Sequence, residues 1–296
     1  MLGPHILART LSVPSAGAGK AGYAFGNQWQ YHSRSDRHSK IACWGMTLDL
    51  LLACPLLRTH VAAGKVGLGI NHELRDFRNN KKKNLDLVLC RRAESSVAGG
   101  SKSGAGQATD FASLAGSYGI ALSAAEARQL ATLPSLPITG VSTVLVATEA
   151  KAAMTAFLKA RPRLKDELTA SHQTIHGDNE HAIAAGLVIV NASATFVSPD
   201  LNKHDLRLQA PVVSVHRQPG DAEKVIAGIK ELQRRASTSD SGYDAIGVLV
   251  VDCPNNGQPV HLVTRHPPAP APNDDFDYGR FIHRIAQLYA TRFAGL

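Results

Sequence analysis

The segment Val141–Lys151 reads VSTVLVATEAK, an apolar and β-branched run that leads into two charged residues. A compact run of this kind is typical of a buried strand, so we predict a central strand over residues 141–147. Residues two apart on a strand point to the same face, so Glu149 and Lys151 should project together. Charged groups at the end of a buried strand need partners or a ligand.

A second carboxylate stands in NLDLVL, residues 84–89, where leucines alternate around Asp86. Residues 66–77 show partial alternation, and a basic polar stretch over 78–83 separates the two segments, which predicts a hairpin. Two carboxylates that meet at a sheet edge repel each other unless a cation lies between them. Magnesium is the natural candidate because it prefers oxygen ligands.

The rest of the chain alternates between helical and strand periodicity, which predicts an α/β protein with a mixed sheet. Residues 1–33 are predicted as an irregular N-terminal arm and 34–296 as a single domain, with a Gly/Ser-rich and helical insertion at about 93–140. Helices are predicted from near Asp36 to a break or bend at Pro55, over 108–133 (one or two helices), 152–168 (kinked or divided at Pro162) and 221–235, and around 281–289. Further strands are predicted at 187–197, 245–251 and 260–264.

The order of helix, hairpin carrying Asp86, strand ending in Glu149-Ala150-Lys151, helix and strand resembles the PD-(D/E)xK nuclease superfamily over residues 36–197. That superfamily includes many type II restriction endonucleases. Leu85 stands where the name-giving proline would be, and the gap of 63 positions between Asp86 and Glu149 is longer than usual. The insertion at 93–140 can absorb that gap.

The resemblance implies a restriction-endonuclease-like mixed central sheet flanked by helices, in an Mg²⁺-dependent endonuclease that hydrolyses phosphodiester bonds in double-stranded DNA. It implies that Asp86, Glu149 and the carbonyl of Ala150 bind the metal. Lys151 would orient or deprotonate the attacking water, or stabilise the phosphorane. A type II restriction enzyme in a restriction-modification system is the expected role, and a homodimer is expected by the same resemblance.

The formal charge of +8 and the pI of about 9.4 favour a polyanionic partner, because neutralised phosphates release condensed counterions. Three basic groups are candidate DNA contacts, with an ordinary solvated surface as the alternative. They are Lys81, Lys82 and Lys83 on the hairpin turn, Lys159, Arg161 and Arg163 on the helix after Lys151, and Arg34 and Arg37 before the first predicted helix.

No apolar stretch is long enough to span a bilayer, since Leu48–Leu57 contains Asp49 and Pro55, and a cytoplasmic protein without membrane contact is expected. The four cysteines lack the spacing of a zinc site, and Cys43, Cys54 and Cys90 are expected to be buried free thiols. Asp49 is weighed as an outer carboxylate of the metal site. His172 and His176 are four apart and suit zinc only if a third ligand joins them.

Several alternatives stay open from the sequence. Glu149 and Lys151 can form a surface salt bridge without a catalytic role. The chain can be a nonspecific or structure-specific DNA nuclease, or a non-catalytic nucleic-acid-binding protein on a nuclease fold. A third class is an unrelated α/β enzyme that uses Lys151 as a nucleophile.

Overall fold

The computed structural model describes residues 1–15, 24–76, 79–92 and 106–296 of the chain. Helices and strands follow one another along these residues. In chain order they are α1 (Gly3–Leu11), α2 (Arg37–Ala53), α3 (Pro55–Ala62), β1 (Val66–Asp76), β2 (Lys81–Arg92), α4 (Phe111–Ser117), α5 (Ala124–Ala131), β3 (Val141–Ala153), α6 (Phe157–Asp178), β4 (Ile183–Asn191), β5 (Thr195–Val197), β6 (Val213–Val215), α7 (Gly220–Lys230), β7 (Ala245–Asp252), β8 (His261–Leu262) and α8 (Tyr278–Arg292).

Six strands form one mixed sheet in the order β1-β2-β3-β4-β7-β8. The first three strands are antiparallel neighbours, β3, β4 and β7 are parallel, and β8 returns antiparallel to β7. The short strands β5 and β6 pair separately. The predicted α/β class with a mixed central sheet is therefore confirmed.

Helices cover both faces of this sheet. An α2-side cluster of buried residues includes Ile41, Trp44 and Leu48 together with residues of α1, α3, α4 and α8. An α6-side cluster on the opposite face includes Leu164, Leu168 and Ile175 together with residues of α7. Burial of both faces explains why β3, β4 and β7 are nearly continuous apolar runs, as parallel strands covered on two sides usually are.

The predicted central strand is present and is longer than its apolar run. β3 pairs with β2 on one side and with β4 on the other, and the parallel pairing continues to Ala153 opposite Val190. Glu149 and Lys151 consequently lie inside the strand and not beyond its end. The hydrogen bonds of β4 hold these charged residues in a sheet position that their side chains alone would not favour.

The prediction of an irregular arm over residues 1–33 is wrong for Gly3–Leu11, which forms the buried helix α1. The carboxylate of Asp49 accepts hydrogen bonds from the backbone N–H groups of Leu2, at 2.7 Å, and Gly3, at 2.8 Å. A Cβ added at Gly45 would lie 2.8 Å from the Gly3 Cα, so only glycine allows this close crossing of α1 and α2. A partner on α2, and not local composition, stabilises this short helix.

The predicted insertion is described only in part, because residues 93–105 of its Gly/Ser-rich stretch lie outside the described residues. Its two predicted helices are confirmed as α4 and α5. The ring of Phe111 stacks on Trp44 with centroids 4.7 Å apart, and the Trp44 indole donates to the Phe111 carbonyl at 3.0 Å. The helical part of the insertion therefore belongs to the core.

Other boundaries differ from the predictions for local reasons. α6 continues through Pro162 without a break, and Leu158, whose carbonyl loses its helical donor there, is 83% exposed. Water can satisfy that carbonyl. The predicted strand over 187–197 is two strands, because the buried Asn191 amide donates to the carbonyls of Met154 and Cys253 and turns the chain. Cys43, Cys54 and Cys90 are free and buried, as expected, and so is Cys253.

No single helix among the described residues is long and apolar enough to cross a bilayer. The pair formed by α2 and α3 meets that test of length and composition only when joined, and the chain bends by 98° between them at Pro55. This bend is the break that Pro55 predicts.

A buried ion cluster ties the starts of β4 and β7 to the last helix. Asp244 accepts from Arg235 Nε at 2.8 Å and from the Ala184 N–H at 2.8 Å, and it pairs with Arg292. The side chains of Asp244 and Arg235 are at most 1% exposed. Burial alone would raise the pKa of Asp244, but the His176 ring, 3.6 Å away, and hydrogen bonds from Arg292 and Arg235 hold that pKa well below its usual range.

We expect Asp244→Ala to lower the free energy of unfolding by about 3–5 kcal/mol, the usual loss when a buried ion pair loses one partner. Asp275 is the matched control, because its half-exposed carboxylate also pairs with two arginines, Arg234 and Arg280. Asp275→Ala should cost about 1 kcal/mol or less. Urea denaturation at neutral pH measures both, and equal losses would contradict the structural role of the buried cluster.

The same cluster predicts an acid-sensitive contribution to stability. Because the folded pKa of Asp244 lies below the unfolded value of about 3.9, its contribution is complete above that pH. The contribution is lost as the pH falls toward the folded pKa. Wild type should therefore lose stability more steeply than Asp244→Asn between about pH 5 and pH 2, and parallel curves in denaturation series would contradict this.

Candidate active site

The site lies where two neighbouring strands part. The antiparallel pairing of β2 with β3 ends at Leu87 and Thr148. The next residue on β2 is Asp86 and the next on β3 is Glu149, so the structure places the two predicted carboxylates on adjacent strands at one opening of the sheet. The pairing of β1 with β2 is interrupted at the same level, where Asn71 has a positive φ of 48°.

Glu149 is buried and is compensated by two ammonium groups. The exposed fraction of Glu149 is 5%. Its Oε1 lies 2.8 Å from Lys151 Nζ and 3.1 Å from Lys83 Nζ. A carboxylate at this depth would be costly without such partners. Glu149 and Lys151 do form the salt bridge that the sequence left open as the alternative to a catalytic role, with Glu149 buried and the Lys151 side chain 30% exposed.

Helix α6 holds the two lysines from the other side. Lys151 Nζ also lies 3.3 Å from a carboxylate oxygen of Glu167. Lys83 Nζ donates to the hydroxyl of Ser171 and, at 3.4 Å, to the backbone carbonyl of Glu167. Glu149, Lys83, Lys151 and Glu167 thus form one network of alternating charge between the sheet and α6.

Polar groups at the start of α2 lie near Asp86. Burial raises the pKa of Asp86, a hydrogen bond with Ser39 lowers it, and the negative charge of Glu149 raises it further. Ser39 lies in the first turn of α2, where Asp36 and Lys40 form an ion pair of 2.7 Å. The negative charge of Glu149 therefore acts on Asp86 across the gap between the two strands.

Lys151 is held in its charged form. Burial alone would lower the pKa of Lys151, but Glu149 and Glu167 together raise it above its usual range. A lysine that acts as a nucleophile needs the opposite shift. The arrangement therefore favours an electrostatic role for Lys151, and it gives no support to the alternative of a nucleophilic lysine.

Several residues at the site were not predicted as part of it. They are Lys83, Glu167, Ser171, Ser39 and the buried thiol of Cys43, whose pKa is raised well above its usual range by burial and then by Asp86 and Glu149. Tyr31 and His38 also lie within electrostatic range of Lys151, and burial followed by that lysine lowers the pKa of His38 to about 4. Side chains two apart on a strand share a face, so the alternation in β2 is the one signal that could have placed Lys83 on the same face as the buried Leu85 and hence in the site.

The structure separates the predicted DNA contacts into two classes. Six of them have exposed side chains: Lys81, Lys82, Lys159, Arg161, Arg163 and Arg34. Three of the six make surface ion pairs, Lys82 with Glu73, Arg163 with Glu167 and Arg34 with Asp200. Lys83 and Arg37 are used inside the protein. Arg37 donates to the carbonyls of Thr10, at 2.8 Å, and Gln30, at 3.4 Å. The three lysines do not form one turn, because β2 already begins at Lys81.

The oxygen donors suit magnesium better than the histidines suit zinc. Asp86 and Glu149 supply carboxylates, and Ala150 lies between Glu149 and Lys151 on the same buried strand. Mg²⁺ commonly takes one or two carboxylates and keeps several waters. The part of the chain that the structure describes contains no cluster of three His, Cys, Asp or Glu residues arranged around one metal. His176 lies 3.6 Å from Asp244, and His172 packs against Tyr243.

Asp49 takes no part in the site. It is 1% exposed, caps α1 and accepts a hydrogen bond from the Tyr278 hydroxyl at 3.0 Å. The acidic residue of α2 that is close to Asp86 is Asp36, at the start of the helix. Asp49 is therefore held by structural contacts with α1 and Tyr278, and the structure gives no support to the role of outer carboxylate that was weighed for it.

Comparison of the chain with protein-family models, with curated proteins and with solved structures gave no match. The assignment of a function therefore depends on the geometry and chemistry of the site.

The network predicts competition between Lys83 and a metal ion for Glu149. Lys83→Met removes a positive charge 3.1 Å from the carboxylate, so Mn²⁺ affinity should rise by roughly tenfold, since a unit charge at such a distance is worth more than 1 kcal/mol. Calorimetric titration without DNA measures this. Lys82→Met, which removes an exposed lysine of the same strand, should leave the affinity unchanged. Equal or weaker binding by Lys83→Met would show that Lys83 does not compete.

Proposed function

We propose that this protein is an Mg²⁺-dependent endodeoxyribonuclease of the PD-(D/E)xK type with a restriction-endonuclease-like fold. The observation that carries the proposal is the position of Asp86 and Glu149 directly beyond the last paired residues of β2 and β3, with Lys151 paired to Glu149 at 2.8 Å. Local sequence patterns single out these residues on two separate segments, and the strand register sets the two segments side by side.

The order of elements around the site supports the same assignment. Helix α2 precedes the hairpin of β1 and β2, β3 follows antiparallel to β2, and α6 leads to β4, which is parallel to β3. This is the order of helix, hairpin, strand, helix and strand on which the resemblance to the nuclease superfamily rests. The helices α2 and α6 lie on opposite faces and each supplies polar groups to the site.

Asp86, Glu149 and the Ala150 carbonyl would hold the metal ion. A bound Mg²⁺ lowers the pKa of its water and offsets the charge that develops on a phosphate. Lys151, kept protonated by Glu149 and Glu167, orients the attacking water and stabilises negative charge on the phosphoryl oxygens. Lys83 would give up Glu149 to a bound cation and would keep its hydrogen bond to Ser171 on α6.

Double-stranded DNA is the proposed substrate because exposed basic residues lie on the elements beside the site. Lys81 and Lys82 extend from the start of β2, while Lys159, Arg161 and Arg163 lie on the first part of α6. Arg34 precedes α2, whose first turn reaches Asp86. A sequence-specific restriction enzyme that cuts both strands would act on them as a homodimer, with its symmetry matching that of the DNA site.

A second candidate is a non-catalytic nucleic-acid-binding protein on the same fold. It is favoured by one observation, the double compensation of Glu149 by Lys83 and Lys151. A site whose carboxylate is already neutralised is stable without a metal. This candidate requires that DNA binding does not depend on divalent cations and that the DNA is not cleaved.

We expect purified wild-type protein to cut phage and plasmid DNA in Mg²⁺ and to be inactive in EDTA. Asp86→Ala and Lys151→Ala should each lower the cleavage rate by at least about a thousandfold, as expected when an essential part of a catalytic unit is removed. Lys224→Ala, an exposed lysine on α7, is the control.

The pattern of products separates the kinds of nuclease. Discrete bands indicate a restriction enzyme, and a smear indicates a nonspecific nuclease. Thermal melting confirms that the variants are folded. Full activity of Lys151→Ala would contradict the assignment of Lys151 as a catalytic residue. Intact DNA under all conditions would favour the non-catalytic candidate.

Binding can be separated from chemistry with two further variants. Lys81→Gln/Lys82→Gln removes exposed charge and should weaken DNA binding for all sequences, with a salt slope shallower by roughly one to two because fewer counterions are released. Glu149→Gln should retain DNA binding while cleavage is lost. Gel-shift titrations in EDTA at several salt concentrations measure both. An unchanged salt slope in the double lysine variant would show that DNA does not pass the start of β2.

A further inference from the structure

A cleft of about 900 Å³ lies away from the candidate active site, at the start of β7. Its walls are the C-terminal end of α7 with the following loop, and the polar face of α8. Ala245 and Ile246 of β7 lie at its base with the apolar side chains of Leu232 and Phe281. A volume of this size suits a ligand as large as a nucleotide.

The cleft is open because the sheet is incomplete on this side. β8 pairs only with Val251 and Asp252, at the far end of β7. Within the described chain, no strand of the sheet pairs with the outer edge of Ala245 and Ile246. Ile246 is level with Gly186 on β4, which is level with Glu149 on β3. The base of the cleft is thus two strands from the candidate active site, about 10 Å across the sheet.

Positive charge lines both walls. Arg280 and Arg284 are one turn apart on α8, and Arg234 faces them from the opposite wall. Asp275 bridges Arg234 and Arg280 at 3.1 Å from each. Arg284 is exposed and makes no hydrogen bond or ion pair to any residue that the structure describes. Like charges four residues apart on a helix are unfavourable by a few tenths of a kcal/mol, and an anion between them relieves that repulsion.

We propose that this cleft is a phosphate-binding site in which Arg234, Arg280 and Arg284 are the ligands. Guanidinium groups bind phosphate oxygens through paired hydrogen bonds, and Asp275 holds two of the three in place. The phosphate belongs either to a free nucleotide or to the backbone of DNA that extends from the candidate active site. The site itself does not depend on the proposed nuclease activity.

The test uses the full chain in EDTA, so that no cleavage takes place. Fluorescence anisotropy measures binding of a labelled nucleoside triphosphate and of a short labelled DNA duplex. Arg280→Gln/Arg284→Gln should weaken at least one of them by about tenfold or more, as loss of charge-assisted hydrogen bonds predicts. Arg284→Gln alone should also weaken binding of that probe, and Arg284→Lys should bind it more tightly than Arg284→Gln does.

The control is Arg128→Gln, which removes an exposed arginine of α5. If the double arginine variant binds only the triphosphate more weakly, the cleft is a nucleotide site. If it binds the duplex more weakly, the cleft contacts the DNA backbone. The proposal is overturned if the double arginine variant binds both probes like Arg128→Gln, or if wild type binds neither. Because binding is measured without metal, a failure of the proposed nuclease activity would leave this result interpretable.

Discussion

A carboxylate inside the central sheet needs positive charge beside it, and this requirement shapes the region around Glu149. The strands β2 and β4 flank β3, and helices cover both faces, so Glu149 has little contact with solvent. Lys83 and Lys151 supply the charge, and Glu167 and Ser171 fix the lysines against α6. Replacing one partner of such a group costs several kcal/mol, which couples β2, β3 and α6 to a single ionic site.

The same compensation defines what the site can do. The two ammonium groups compensate Glu149 without a metal. In the proposed nuclease, a cation would have to displace one of them to join Asp86 and Glu149. Lys151 is bound by two carboxylates, whereas Lys83 shares Glu149 with neutral groups of α6. In the proposed nuclease, Lys83 would therefore be the group that a cation displaces more readily. The proposed nuclease and the non-catalytic alternative differ in whether that exchange takes place.

Local patterns in the sequence are sufficient to predict the strands that carry Asp86, Glu149 and Lys151, because alternation and an apolar run report burial directly. Long-range contacts are not predictable in this way. Helix α1 forms against Asp49 and Gly45, some forty residues away, so the sequence alone cannot distinguish Asp49 from a metal-site residue. Lys83 resembles its basic neighbours in sequence, although its partners Glu149 and Ser171 lie on other elements.

In the proposed site, Asp86 and Glu149 share one divalent cation next to Lys151. The most direct test is a crystal structure of the wild-type protein grown with Mn²⁺, with the metal located by its anomalous scattering. We expect one peak at about 2.2 Å from carboxylate oxygens of both Asp86 and Glu149, with Lys83 moved away from Glu149. An empty site at saturating Mn²⁺, with Glu149 still paired to both lysines, would contradict it.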